Sequence, residues 1–126
     1  MSTNPQATDL VGEWRELLAR HARVNAALER ELQRRHGLSV TEYEALQCLA
    51  AKPDDGCRLQ KLVDDVHMSQ SALSRLISRL ELQGLVERRT CADDRRGIFA
   101  CVTESGRALL AEAEPTHLAV LAETLG

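Results

Sequence analysis

Ser69-Gln-Ser-Ala-Leu-Ser-Arg-Leu-Ile-Ser-Arg-Leu-Glu-Leu-Gln-Gly84 is the stretch on which the reading of the whole chain turns. Leu73, Leu76, Ile77 and Leu80 recur at helical spacing and form an apolar face, while Ser71, Ser74, Arg75, Ser78 and Arg79 lie round the other side. The outer face is small, polar and cationic. Hydroxyls and guanidinium forks on such a face reach phosphates and base edges when the helix lies close in a groove. The stretch therefore predicts a helix built to read nucleic acid.

Working outward, Gln60 to Val66 predicts a short helix with Leu62, Val63 and Val66 turned inward, and His67-Met68 makes a tight connection to Ser69, well placed as an N-cap. A short helix, a turn and a longer polar-faced helix form the helix-turn-helix pattern. Downstream, Gly84 closes the helix, and Leu85 to Arg89 and Ile98 to Val102 read as two strands. The eight residues Thr90 to Gly97 between them are too many for a tight hairpin, so a protruding loop is expected, its tip carrying Asp93, Asp94, Arg95 and Arg96.

Upstream, Leu10, Trp14, Leu17, Leu18, His21, Val24, Leu28 and Leu32 keep a helical period from Asp9 to His36, after a polar, frayed start at residues 1 to 8. Gly37 supplies the left-handed stop, with Leu38 folding back on Leu32. The 28 residues span about 42 Å, more than a domain of this size needs, so the helix should project and meet a partner chain. Ser39-Val-Thr-Glu42 and Thr41-Glu-Tyr-Glu44 are overlapping capping boxes for a second helix with Tyr43, Leu46, Leu49 and Ala50 on its apolar face. That helix stops before Pro53, Pro53-Asp-Asp-Gly56 makes a turn, and Cys57 to Leu59 forms a short extended piece. Near the end, Thr103 caps a helix from Glu104 through Glu114, and Pro115 begins a separate last helix.

Composition narrows the classes. A chain of 126 residues fits a single domain, here residues 1–126. The net charge of −3 excludes a generally basic coat, yet Cys57 to Arg107 carries nine basic residues against seven acidic ones, a local excess on an acidic scaffold. No apolar run reaches the roughly 20 residues of a membrane span, and Met-Ser-Thr-Asn-Pro-Gln at the start has none of a signal peptide's regions, so a cytoplasmic protein is expected. Cys48, Cys57, Cys91 and Cys101 show neither Cys-x-x-Cys nor zinc-type spacing and read as reduced thiols; no metal or other cofactor is implied. The sequence holds no nucleophile elbow, phosphate loop or paired catalytic carboxylates, so an enzyme is not expected.

Three motifs in register sharpen the reading. Leu80-Glu-Leu-Gln-Gly-Leu-Val-Glu-Arg88, Asp94-Arg-Arg-Gly97 and Val102-Thr-Glu-Ser-Gly106 resemble signatures of the MarR family of winged-helix transcription regulators, and the resemblance runs over residues 10 to 120 or so. It implies a mainly α fold with a small β-hairpin wing: a winged helix-turn-helix over 39–102, flanked by dimerisation helices at 9–36 and 104–126. It also implies a homodimer that sets two recognition helices in successive major grooves of a pseudo-palindromic double-stranded DNA site, with the wings in the flanking minor grooves. Carried onto this sequence, Ser69, Gln70, Ser71, Ser74, Arg75 and Arg79 fall where the family contacts DNA. Arg96, with Arg95 beside it, matches the wing arginine, and Asp94 the acid that holds it. The stretch from Pro115 is shorter than the terminal helix of many members.

The physical grounds stand beside the resemblance. A narrow minor groove concentrates negative potential, and a guanidinium fits it. Gln70 suits a bidentate contact to adenine, and Arg75 one to guanine or phosphate. The expected function is a DNA-binding regulator, a repressor relieved by a small-molecule effector or a redox signal. For the latter, Cys91 sits near Arg89, Arg95 and Arg96, surroundings that favour a thiolate, although the family's peroxide sensors carry their cysteine on the first helix. Trp14 and Tyr43 read as core or interface residues, and His21, His36 and His117 are assigned no site. The alternative from another class is a winged-helix protein-interaction module without DNA binding, which calls for an apolar or acidic outer face.

Overall fold

The computed structural model describes the backbone of residues 5–52, 56–91 and 94–126, and the side chains of 7–52, 56–89 and 99–126. The turn expected at Pro53-Asp-Asp-Gly56 lies largely outside the described residues. So do the side chains of Cys91, Asp94, Arg95 and Arg96.

Helix α1 runs Pro5–His36, four residues earlier than its apolar period suggests. Proline suits a first turn, where its missing N–H has no acceptor to serve. Only the far half of α1 lies on the core: Leu28 and Leu32 are buried, whereas Leu10, Val11, Trp14, Leu17 and Leu18 stand exposed on the projecting half. Gly37 ends the helix at φ 68°, its N–H donating to the Gln33 carbonyl, and Leu38 N–H donates to Leu32 O at 3.3 Å. Both leucines are buried.

Helix α2 is Val40–Ala50, and of the two overlapping capping boxes it uses the first. Ser39 Oγ accepts from Glu42 N at 3.1 Å, and Glu42 Oε1 accepts from Ser39 N at 2.8 Å. Strand β1, Cys57–Arg58, leads into α3 at Leu59–Val66. His67 then adopts the left-handed conformation at φ 55°, a sharp turn made by a residue that tolerates it only at some cost. Helix α4 follows at Gln70–Leu82, with Leu73, Leu76, Ile77 and Leu80 fully buried as their spacing predicts.

The wing differs from expectation. Instead of short strands around an eight-residue loop, β2 runs Val86–Cys91 and β3 Asp94–Val102, so the ladder extends into the segment read as loop. A register shift between Thr90 and Cys91, which pairs Cys91 with Asp94, absorbs the mismatched lengths. β1 adds to the far edge of β3 through Cys57–Ala100 and Arg58–Phe99, giving the strand order β1-β3-β2.

A second correction concerns the C-terminal part. Pro115 starts no new helix; a single α5 spans Glu104–Leu125 with Pro115 inside it. The ring removes one backbone bond and crowds the preceding turn. Packing on both sides of the proline holds the helix together: Ala113 and Val120 are buried, and α5 lies along α1 and α2.

Candidate nucleic-acid interface

Helix α4 presents its outer face on a scaffold set by three joints. Ser69, the N-cap, accepts from Ala72 N at 3.2 Å, satisfying a first-turn donor. At the other end Thr103 Oγ1 donates to the Gly84 carbonyl at 2.7 Å, and Thr103 N donates to Leu85 O at 3.0 Å, tying the exit of α4 to the start of α5. Along its flank Arg88 of β2 reaches back, Nη2 donating to the Ser74 carbonyl at 2.9 Å and to Ser78 Oγ at 2.7 Å.

The predicted helix residues come together on one side. Ser69, Gln70, Ser71, Arg75 and Arg79 are exposed, and Ser74 is half-buried. Met68, Ala72, Ser74, Arg75, Ser78 and Arg79 line an open groove along this face. Neither Arg75 nor Arg79 has an ion-pair partner among the described residues, so both guanidinium groups are available to an outside anion. Ser78 is a different case. Its hydroxyl donates to Ser74 O at 3.0 Å while accepting from Arg88, which spends it internally. Arg89, by contrast, is exposed and pairs with Glu87 on its own strand at 3.1 Å.

Sequence reading missed Arg88, which it counted only as one charge in a basic segment and one letter of a motif. Its place two residues after the buried Leu85-Val86 pair is the one available signal, and the partner helix cannot be read from it. The other cysteines are placed plainly: Cys57 and Cys101 are buried and Cys48 half-buried. Burial pushes the Cys48 and Cys57 thiols up, away from the reactive thiolate. Trp14 is exposed on α1, and Tyr43 is buried.

Comparison with known proteins agrees with this fold. The model of the MarR family matches residues 38–98. The HTH-type transcriptional regulator MhqR of Bacillus subtilis (strain 168) is 33% identical over 91 residues, covering 72% of this chain and 61% of that protein's length. Among solved structures, Sco3205, a MarR family transcriptional regulator from Streptomyces coelicolor in complex with DNA, superposes with a TM-score of 0.87 at 30% identity, covering 98% of this chain and 76% of that one. AbsC, a MarR family transcriptional regulator from the same organism, gives 0.86 at 31% identity, covering 98% and 81%.

Proposed function

This chain belongs to the MarR family of transcriptional regulators, and from that premise we propose that it acts as a homodimer that reads a pseudo-palindromic site in double-stranded DNA and represses transcription there. One observation carries the proposal: the exposed face of α4 combines hydroxyls, the Gln70 amide and two guanidinium groups with no ion-pair partner among the described residues. Ser69, Gln70, Ser71, Ser74, Arg75 and Arg79 are assigned to the major groove. Arg96 of the hairpin, with Arg95 beside it, is assigned to the minor groove, and Asp94 to holding that arginine, on the strength of their motif. An interaction module would need an apolar or acidic α4 face, which these residues do not make.

Dimerisation is assigned to 9–36 and 104–126, supported by the exposed Leu10, Val11, Trp14, Leu17 and Leu18 of α1 and Leu118 and Leu125 of α5. Apolar side chains gathered in this way mark a surface meant to be covered. Among the described residues no helix is long and apolar enough to cross a membrane, and the proposed site of action is the cytoplasm, where the DNA is. Release from DNA falls to a small molecule or a thiol signal. Since burial pushes up the thiols of Cys48 and Cys57, and Cys101 is buried as well, a thiol signal would act through Cys91.

The test is selection of bound fragments from random duplex DNA at physiological salt. Enrichment of an inverted repeat with half-site centres about 10 base pairs apart is the expected result. No enrichment would sink the proposal.

A further inference from the structure

Arg88 stands in mid-hairpin, paired across the ladder with Ala100, yet its guanidinium leaves the sheet and lies along α4. The two N–H groups of Nη2 are both spent, one on the Ser74 carbonyl at 2.9 Å and one on Ser78 Oγ at 2.7 Å. Nε is buried, 3.8 Å from Glu81 Oε1, and finds no hydrogen-bond acceptor among the described residues. Residues 74, 78 and 81 fall at i, i+4 and i+7, a single stripe along the helix. Arg75 and Arg79 form the next stripe round.

The division of labour follows from the kinds of force. Leu73, Leu76, Ile77 and Leu80 press α4 onto the core and fix how deep it sits. Charge-assisted hydrogen bonds have directional geometry, so the Arg88 fork sets the rotation of α4 and its advance along its own axis. Base reading tolerates errors of only about 0.5 Å in the contacting groups. The charge of Arg88 faces Glu81, and both N–H groups of Nη2 are taken by α4 itself.

We propose that Arg88 is a positioning residue for sequence discrimination: it holds Arg75 and Arg79 in register with the wing without touching DNA. The proposal rests on the reading of α4 as the DNA-reading helix. Its effect should appear in specificity and leave the electrostatic grip alone.

The experiment uses the full chain as wild type, Arg88→Met, Arg88→Lys and Ser78→Ala, with the DNA enriched by wild type and a scrambled duplex, over a series of salt concentrations. In Arg88→Met the ratio of specific to non-specific affinity should fall on the order of tenfold, about the worth of one base contact. Non-specific affinity and the slope of log affinity against log salt should stay unchanged. Arg88→Lys should recover part of the ratio, and Ser78→Ala, which keeps the charge, should lower it in the same direction. A salt slope shallower by about 0.9 per protomer in Arg88→Met would mean a direct phosphate contact and overturn the proposal. An unchanged ratio in Ser78→Ala together with folded Arg88→Met would also overturn it; should Arg88→Met fail to fold, an unchanged ratio in Ser78→Ala alone suffices. Wild type that enriches no sequence would instead remove the underlying reading of α4, and the proposal with it.

Discussion

The imidazole of His117 stacks on the ring of Tyr43, centroids 4.5 Å apart and planes at 23°. Its neighbour Thr116 places Oγ1 2.8 Å from His36 Nε2, so the two residues after Pro115 fasten α5 to α2 and to the end of α1. Burial pushes the His117 pKa below the ordinary histidine value, with Glu44 and Glu114 opposing the shift. The folded chain therefore keeps His117 neutral at a pH where the unfolded chain, near 6.5, already binds a proton.

The sign follows directly. The contribution of His117 to stability is whole above the unfolded pKa and is lost as pH falls through the folded one. His117→Phe keeps a ring on Tyr43 and takes up no proton. Its unfolding free energy, from urea titrations between about pH 5 and 7, should decline less on acidification than that of wild type. Parallel pH curves for the two proteins would contradict the assignment.

Gly106 should not tolerate a side chain. A Cβ there would overlap the Leu85 carbonyl oxygen and come within 2.7 Å of Val102 Cγ2. That same carbonyl accepts from Thr103 N, so neither backbone can retreat without breaking the joint between α4 and α5. Gly106→Ala, elsewhere in a helix a stabilising change, should here cost roughly 1–3 kcal/mol of stability by denaturant titration. A gain in stability would refute the close approach.

The projecting half of α1 predicts where dimerisation fails. Leu17 is 56% exposed in the single chain, so Leu17→Glu leaves the fold of each protomer intact. Burying a leucine is worth roughly 1.5–3 kcal/mol, and a carboxylate in its place adds a desolvation cost. Dimerisation by sedimentation should weaken at least about tenfold with helix content unchanged. An undiminished dimer would move the interface elsewhere.

Single contacts on α4 should separate grip from choice. Arg75→Ala, if it removes a phosphate contact, should reduce the salt slope by about 0.9 per protomer. Gln70→Ala should instead relax preference at one base position of each half-site, by about 1–3 kcal/mol, at an unchanged salt slope. Competition binding against single-base variants of the enriched site measures both. Uniform weakening in Gln70→Ala, across all bases, would assign it to the backbone.

Much of the fold was legible because its signals are local. Ser39 and Glu42 satisfy each other's backbone within one turn, and the buried leucines of α4 declare their face by spacing alone. The cationic outer face of α4 was legible for the same reason. Ser78 shows the limit: spacing put it on the outer face, yet its hydroxyl is taken by Arg88, ten positions away along the chain.

The sequence by itself determined the capped starts of α2, α4 and α5 at Ser39, Ser69 and Thr103, the apolar side of α4, and that its polar, arginine-bearing side faces outward. These depend on interactions within a few residues, which composition and period encode directly. The tertiary structure alone decided that α5 runs on through Pro115, that the hairpin strands extend through Cys91 and Asp94, and that Arg88 grips α4. A helix continues past a proline only when contacts from elsewhere, here Tyr43 and His36, outweigh the lost backbone bond. Likewise a guanidinium chooses its partner by what the fold brings within about 3 Å, and no periodicity within β2 carries that information.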